Sequence, residues 1–178
     1  EFGKGTAVGS ETADAQKRVP TNEYVVDRAG DAEMYHRIVR QQVEKTFGHL
    51  NRHDFEPVVA GFAPEIKHSF AGEHALGGTR HSQASARKWY ERLFRLFPEA
   101  RFTVKEMVIA GLPGDTRIAV QFKVENGAYT NEVAQFIRLR WGRITEIALY
   151  EDTGKLIDWL AGLQQRGIAE AGAAPIRD

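Results

Sequence analysis

The chain has 178 residues, 42% of them hydrophobic and 27% charged, which suits one globular domain with a hydrophobic core. Lys plus Arg and Asp plus Glu are equal at 24 each, and this balance argues against a nucleic-acid or anionic-membrane surface, since both need clustered positive charge. No cysteine occurs, which excludes disulfides, thiol nucleophiles and cysteine metal sites.

The two ends of the chain differ in composition from the middle. Residues 1–31 lack a starting Met and are rich in small residues, so a flexible leader or cloning remnant is expected there. Residues 169–178 are rich in Ala and Gly and are expected to form a flexible tail. A single domain is therefore predicted over 32–168. No apolar run approaches a membrane span and no signal-peptide pattern opens the chain, so a cytoplasmic location is the default expectation.

Helical spacing of apolar residues dominates the first half of the domain. A first helix is predicted over 35–50, where one apolar stripe faces a charged side. A short second helix is predicted over 55–62, with Pro57 in its first turn. Ser82 can cap a third helix, which must end before Pro98.

Alternation of polar and apolar residues predicts five strands. They are 65–70, 102–110, 118–124, 129–140 and 143–150. The third strand alternates most cleanly, with Ile118, Val120, Phe122 and Val124 on one face. Asn126-Gly127 is a strong hairpin signal after it. A last helix follows from Asp152 or Thr153, so helices and antiparallel strands are segregated along the chain, which predicts an α+β fold.

The last two strands are expected to form a hairpin about Trp141-Gly142. A type I′ turn would need a positive φ at the tryptophan, which is unfavourable, so a type II turn with only the glycine positive is expected. Regular pairing about this turn places Leu139 opposite Ile144 and Ile137 opposite Glu146.

A strongly curved sheet around helices would leave a cavity at its open end. Large aromatic residues are the candidates to line this cavity, and they are Trp89, Phe94, Phe122 and Phe136. The alternative for each of them is a place in the hydrophobic core, because aromatic residues usually supply packing area.

Three stretches carry motifs in a fixed order. The glycine-rich stretch from His68 to Ser82 lies between a strand and a helix, and Tyr129-Thr-Asn-Glu precedes Phe136-Ile-Arg-Leu-Arg-Trp-Gly-Arg-Ile-Thr-Glu. Tyr150-Glu-Asp-Thr closes the set. Over about 35–160 the chain resembles the SnoaL-like branch of the nuclear transport factor 2-like superfamily. The resemblance implies a cone-shaped, cystatin-like roll, with a curved antiparallel sheet around three helices and a C-terminal helix.

The resemblance also implies a pocket for a small apolar molecule, but the acids of three known enzyme types are missing here. Ser69 stands where the isomerases of the superfamily have an Asp base. Arg138-Leu-Arg140 replaces the Arg-x-Asp pair of the epoxide hydrolases. Ile147 and Leu149 stand where SnoaL-type cyclases have a His-x-Asp.

The remaining polar residues are the catalytic candidates. Regular hairpin counting places one set of residues on a common face, namely Glu132, Ala134, Phe136, Ile147, Leu149 and Glu151. If this face lines the cavity, as the cyclase motif implies, Glu132 lies at the rim of an apolar site, where its pKa would rise and it could carry a proton. The alternative is a solvated or ion-paired Glu132.

His68, Tyr150 and Asp152 complete the catalytic candidates. His68 beside the glycine turn could be a proton shuttle at the cavity mouth, or a surface or capping residue. Tyr150 could donate a hydrogen bond to a ligand oxygen with Asp152 orienting it, or Asp152 could cap the last helix with Tyr150 packed under it. Asn131 and Leu149 join the predicted ligand-binding residues.

No metal or cofactor is expected. His49 and His53 have a spacing that can bind a metal, but only Asp54 could complete a site, and Asp54 is predicted to be a helix cap. Three functions stay open: a cofactor-free enzyme for isomerisation, cyclisation or dehydration of an apolar oxygen-bearing substrate, a non-catalytic binding protein, and a homodimerisation module that uses an exposed sheet face with Ile137 and Leu139.

Overall fold

A computed structural model describes residues 23–178 of the chain. The helices are α1 (Glu23–Leu50), α2 (Glu56–Ala60), α3 (Gln83–Leu96) and α4 (Thr153–Gln165), followed by a short 3-10 helix at Ala169–Gly172. The strands are β1 (Phe62–Phe70), β2 (Gly78–Arg80), β3 (Arg101–Leu112), β4 (Asp115–Asn126), β5 (Tyr129–Arg140) and β6 (Arg143–Glu151).

The six strands form one curved sheet in the order β2-β1-β6-β5-β4-β3. All neighbouring strands are antiparallel except β1 and β6, which are parallel. α1 packs on β3, and α3 packs on β1, so both helices lie against the inner face of the sheet. The predicted α+β fold with a curved sheet around helices is therefore confirmed, and the glycine-rich segment after β1 contains one additional short strand, β2.

Local sequence explains where α3 and α4 begin. The Ser82 hydroxyl accepts a hydrogen bond from the backbone N–H of Ser85 at 3.1 Å, which caps α3. The Asp152 carboxylate accepts one from the backbone N–H of Lys155 at 3.2 Å, which caps α4. Each cap satisfies an N–H that a helix start otherwise leaves without a partner.

The first helix starts earlier than the predicted domain boundary at residue 32. α1 begins at Glu23, because no proline or turn signal interrupts 23–31 and the helix can continue through it. The rest of the predicted leader, residues 1–22, lies outside the described part of the chain.

Residues 169–178, for which a flexible tail was expected, pack against α3 in the structure. Ala171 is buried. The Glu170 carboxylate contacts Arg95 at 2.7 Å and Arg92 at 3.3 Å, and Arg92 also donates to the carbonyl of Ala174 at 2.8 Å. These contacts hold a segment whose composition alone predicts no order.

The β5–β6 hairpin contains a bulge that regular counting misses. Leu139 pairs with Ile144 as predicted, but Arg138 pairs with Glu146, so Thr145 is an extra residue on β6. Ile137 therefore pairs with Ile147 rather than Glu146. Because side chains alternate between the faces of a strand, this one-residue shift exchanges the faces of β6 relative to β5.

The turn at Trp141-Gly142 also differs from the expectation of type II. Both residues have positive φ, 50° for Trp141 and 76° for Gly142, as in a type I′ turn. Primed turns match the right-handed twist of a hairpin. The twist of the sheet therefore favours a type I′ turn here, although a tryptophan disfavours positive φ. The Trp141 N–H donates to the carbonyl of Pro113 at 2.6 Å, which joins this turn to the β3–β4 turn.

Candidate functional site

A cavity of about 60 Å³ lies between the inner face of the sheet and the helices α1 and α3. Most of its wall is aromatic or aliphatic. The apolar residues of the wall include Phe47, Phe70, Trp89, Phe97, Phe102, Phe122, Val133, Leu149 and Leu156. The polar residues on the wall are Tyr90, Tyr129, Gln135 and Glu151. Such a site favours an apolar molecule that carries few polar groups.

Glu151 is the only carboxylate on this wall among the described residues, and the Thr145 bulge turns it inward. It is the last residue of β6 and is half-buried. The Tyr129 hydroxyl donates a hydrogen bond to Glu151 Oε1 at 3.2 Å. Asn131 Nδ2 donates to Tyr129 Oη at 3.0 Å and to the carbonyl of Asp152 at 2.9 Å. Asn131 thus holds the tyrosine that contacts the carboxylate.

The electrostatics at this end of the cavity favour a protonated carboxyl. Burial raises the pKa of Glu151 to about 7, the hydrogen bond from Tyr129 opposes this rise, and the negative charge of Asp152 adds to it. Burial, together with the charge of Glu151, raises the pKa of Tyr129 far above its ordinary value, so the phenol stays protonated. Near neutral pH, Glu151 can therefore both accept and donate a proton.

His68 lies in the core rather than at a cavity mouth, contrary to the expectation for a proton shuttle. Its ring is completely buried and packs edge-on against Trp89, with 4.6 Å between ring centroids. Arg80 Nε donates to His68 Nδ1 at 3.1 Å. Burial lowers the pKa of His68 well below its usual value, and the positive charge of Arg80 lowers it further, so the imidazole is neutral at physiological pH.

The residues predicted from regular hairpin counting lie on the outer face of the sheet. Glu132 is exposed and forms an ion pair with Lys105. Phe136 and Tyr150 are each 52% exposed, and their rings lie 6.1 Å apart. The face assignment for Glu132 and Phe136 is therefore wrong, and the uncounted bulge is the reason. Tyr150 also points away from the cavity, and Asp152 caps α4, as its alternative interpretation stated.

The predicted ligand-binding residues divide into three groups. Trp89, Phe122 and Leu149 lie on the cavity wall. Asn131 is buried and reaches the cavity only through Tyr129. Phe94 is half-buried outside the wall and stacks on His53, with 4.4 Å between ring centroids.

Glu151, Tyr129 and Tyr90 were not among the predicted site residues. Glu151 did belong to the face that was expected to line the cavity, but Glu132 was chosen from that face instead. A signal for Tyr129 existed in the β4–β5 hairpin, where Asn126 pairs with Tyr129 and Phe122 with Val133. Counting from this hairpin places Tyr129 on the same face as the apolar residues of β4. For Tyr90, the helical stripe indicated burial but not a hydroxyl at a cavity.

The described residues contain no group of three His, Asp or Glu side chains that could hold a metal ion. His49 instead contacts Asp54, with 2.8 Å between Nδ1 and Oδ2. None of the helices in 23–178 is long and apolar enough to cross a membrane.

Comparison with known proteins identifies the family. The model of the SnoaL-like domain family matches residues 43–147, more than half of the chain. The chain belongs to the SnoaL-like domain family. The matched part of this SnoaL-like domain includes His68, Arg80, Tyr90 and Tyr129, whereas Glu151 follows it. Among curated protein sequences, none matches the chain.

Solved structures similar to this SnoaL-like domain share its fold at low sequence identity. An NTF2-like protein of unknown function from Burkholderia pseudomallei has 20% identity and a TM-score of 0.56, and the match covers 67% of this chain and 95% of that one. TerC, co-crystallized with polyporic acid, has 15% identity and a TM-score of 0.53, with 67% and 95% covered. A candidate ketosteroid isomerase from Kribbella flavida has 17% identity and a TM-score of 0.52, with 64% and 76% covered.

Proposed function

We propose that this domain binds a small, apolar, oxygen-bearing molecule in the cavity and transfers a proton on it through Glu151, without a cofactor. The observation that carries the proposal is a carboxyl with a pKa of about 7 at the polar end of an otherwise apolar cavity. A general acid or base works best when its pKa lies near the operating pH. Two proteins of the same fold support this ligand class. TerC was co-crystallized with polyporic acid, and the Kribbella flavida protein is named for an isomerase of ketosteroids.

The supported chemistry is proton abstraction next to a carbonyl group. The Glu151 carboxylate takes the proton from the carbon, and the electrons of the C–H bond move towards the carbonyl oxygen to give an enolate. Glu151, now protonated, returns the proton to the same or another atom, so the protein ends unchanged. Isomerisation follows when the proton returns elsewhere, and cyclisation or dehydration when the enolate attacks or expels a group.

The cavity volume limits the ligand. A volume of about 60 Å³ holds a few water molecules, and it is smaller than the roughly 150 Å³ cavity that binds benzene in an engineered protein. A ligand of two fused rings therefore requires side chains on the wall to move.

Hydrogen–deuterium exchange of a simple ketone tests the proposal without knowledge of the natural substrate. With 1-tetralone in D₂O, we expect the wild-type protein to accelerate loss of the proton NMR signal next to the carbonyl. Glu151→Gln should reduce this acceleration at least about a hundredfold, as loss of a general base does. The rate should rise with pH up to about 7 and then level, because the base is the ionised form of Glu151.

The matched control is Glu132→Gln, which removes an exposed carboxylate on the adjacent strand and should leave the exchange rate unchanged. Equal loss in the two variants, or exchange that survives Glu151→Gln, would remove Glu151 from the mechanism. Binding of 1-tetralone without any catalysed exchange would favour the non-catalytic binding protein instead.

A second function, association of two copies, is supported by the outer face of the sheet. Val108, Phe136 and Tyr150 are more than half exposed there and border or adjoin a groove of about 350 Å³. Ile137, which was expected at the interface, is buried and points inward. Sedimentation analysis tests this function, since Phe136→Arg should convert a homodimer to a monomer, and a wild-type monomer at micromolar concentration would exclude it.

A further inference from the structure

Arg80 is a completely buried cation that forms no hydrogen bond to a carboxylate within the described residues. Its guanidinium donates to the carbonyls of Gly77 at 2.9 Å and Gly78 at 2.8 Å, and it lies 5.3 Å from the ring centroid of Trp89. These backbone carbonyls accept from the guanidinium N–H groups, but no carboxylate of residues 30–178 contacts the positive charge.

The contact between Arg80 and His68 determines which imidazole nitrogen carries the proton. Arginine can only donate hydrogen bonds, so His68 Nδ1 must be the acceptor of the 3.1 Å bond from Arg80 Nε. The proton of the neutral ring is therefore on Nε2. Among the described residues, Nε2 has no hydrogen-bond partner although it is fully buried. A buried donor without an acceptor is rare in folded proteins and calls for an explanation.

The free nitrogen of His68 lies next to the cavity wall. Nδ1 faces Arg80 on β2, which is the edge of the sheet, so Nε2 lies on the opposite, interior side of the ring. The rings of Trp89 and Tyr90, both on the cavity wall, lie 4.6 and 5.9 Å from the His68 ring. Tyr90 is buried, and its hydroxyl makes no side-chain hydrogen bond within residues 30–178. The unpartnered His68 Nε2–H therefore belongs to a ring that lies beside a tyrosine of the cavity wall.

We propose that His68 Nε2–H and the Tyr90 hydroxyl together bind one acceptor oxygen of the ligand, and that Arg80 is the positioning residue that keeps the imidazole in its donor form. This inference rests on the proposed function, and it names the ligand group at the end of the cavity away from Glu151. The expected group is a carbonyl, enolate or phenolate oxygen.

The nearby positive charge decides which oxygen is preferred. Donors that are fixed in a buried site stabilise an oxygen more strongly as it gains negative charge, and the Arg80 guanidinium behind the imidazole adds to this. An ammonium group would meet two donors and a cation and would be rejected. The subsite therefore selects ligands with an acceptor oxygen at this end.

The sheet also sets the length of the ligand. His68 pairs with Ile147, which lies four residues before Glu151 on β6, a separation of roughly 13 Å at the rise of a β-strand. The side chains at the two ends reduce this distance, so the space between them suits about two fused rings. For this reason a bicyclic ketone is the appropriate probe.

Nitrogen-15 NMR of the histidine rings tests the role of Arg80. In the wild-type protein, His68 should show a protonated Nε2 and an unprotonated Nδ1 from pH 6 to 8, since the titratable groups packed on it are Arg80 and Tyr90, which keep their protons in this range. Arg80→Met should give a mixture of the two neutral tautomers, because the burial that lowers the pKa of His68 remains. A wild-type ring with the proton on Nδ1 would overturn the proposal.

Binding of a matched ligand pair tests the subsite itself. We expect wild-type protein to bind 1-tetralone about tenfold or more tightly than 1-methylidenetetralin, which replaces the carbonyl oxygen by a methylene group of similar size. Tyr90→Phe should reduce this ratio about fivefold, and His68→Phe should reduce it to about one. Tyr150→Phe is the control, because it removes a tyrosine hydroxyl on the outer face, and its ratio should equal that of the wild type.

The remaining outcomes separate this inference from the proposed function. If His68→Phe does not fold, the binding ratio of Tyr90→Phe, which keeps the aromatic ring, is the test of the subsite. Equal binding of the two ligands by the wild type, or a ratio that Tyr90→Phe leaves unchanged, would overturn the subsite. Glu151→Gln should abolish proton exchange and leave the ratio intact, so failure at one end of the cavity is distinguishable from failure at the other.

Discussion

Glu132 on β5 and Glu151 on β6 show how the two faces of one sheet give a carboxylate different chemistry. Glu132 lies on the outer face, is exposed and pairs with Lys105. Glu151 lies on the inner face beside an apolar cavity, and burial raises its pKa to about 7. The residue type is the same and the strands are neighbours. Position relative to the sheet, more than residue type, therefore determines which carboxylate can transfer protons.

The Thr145 bulge is the feature that determines this difference. If Thr145 paired with Arg138 instead of forming a bulge, Ile147, Leu149 and Glu151 would share a face with Glu132. Because Thr145 is bulged, these three residues lie on the inner face with Val133 and Tyr129. Four predictions test the contrast between the two faces.

Charge placed on the inner face of β6 should have the largest effect. Ile147 is 2% exposed on this face, so Ile147→Asp would remove a buried aliphatic side chain and bury a carboxyl among apolar residues. Since burial of one large aliphatic side chain alone contributes about 1.5 to 3 kcal/mol, we expect a total loss of about 5 kcal/mol or more and no cooperative unfolding transition in circular dichroism. Ala148→Asp, on the outer face, should unfold cooperatively. Equal loss in the two variants would contradict the assignment of the faces.

Truncation of one phenylalanine on each face should give unequal losses of stability. Phe122 is buried on the inner face, so Phe122→Ala should lower the free energy of unfolding by about 3 to 5 kcal/mol. Phe136 is 52% exposed, so Phe136→Ala should cost less than about 1 kcal/mol in the monomer. Urea denaturation of both variants measures the difference, and similar losses would contradict the assignment of the faces.

The raised pKa of Glu151 predicts a pH-dependent loss of stability. A carboxyl that is harder to ionise in the folded state keeps its proton there between about pH 4.5 and 7, while the unfolded chain loses it. The contribution of Glu151 to stability is therefore greatest below pH 4.5, falls as the pH rises to about 7, and is constant above that. Linkage sets this fall at roughly 3 kcal/mol, since the pKa rises from 4.5 to about 7.

Glu151→Gln should remove this part of the pH dependence, and Glu132→Gln should not. The measurement is the difference between the free energies of unfolding at pH 5 and pH 8 for the wild type and both variants. Identical pH dependence in the wild type and Glu151→Gln would mean that the carboxyl ionises normally in the folded protein.

The smallest expected effect concerns the hairpin turn that joins β5 and β6. Trp141 is 80% exposed and has a φ of 50°, a conformation that costs an ordinary L-residue roughly 1 kcal/mol or more. Asn adopts this conformation readily, and Asn-Gly is the preferred type I′ pair. Trp141→Asn should therefore stabilise the protein by about 1 kcal/mol in thermal unfolding. Destabilisation would show that the Trp141 ring, which lies beside Gly114, contributes more to stability than the turn strain costs.

The elements of the fold were largely predictable because apolar periodicity reports them directly. The stripe of α3, the Ser82 cap and the alternation along β4 each have a local cause in the sequence. The face of β6 was not predictable from its own hairpin, because nothing in Arg143-Ile-Thr-Glu distinguishes a bulge from a regular strand. The β4–β5 hairpin has no such irregularity over Tyr129–Leu139, and its count gives the inner face of β5 correctly.

The candidate site was predictable only in part for the same reason. Trp89, Phe122 and Leu149 are apolar residues in regular patterns, and they lie on the cavity wall. The role of Glu151 depends on a register shift six residues earlier. The tautomer of His68 depends on Arg80, which belongs to a three-residue strand with no pattern of its own.

The contacts between α3 and residues 169–178 have a consequence for synthesis of the protein. Arg92 and Arg95 on α3 bind Glu170 and Ala174, which lie about 80 positions later in the chain. At translation rates of 5 to 20 residues per second, the helix waits roughly 4 to 16 s for these partners. During this time Arg95 has no carboxylate partner, and α3 is held by its apolar side and by partners that precede it in the chain, such as Glu56, which pairs with Arg87, and the Ala75 carbonyl, which accepts from Arg92.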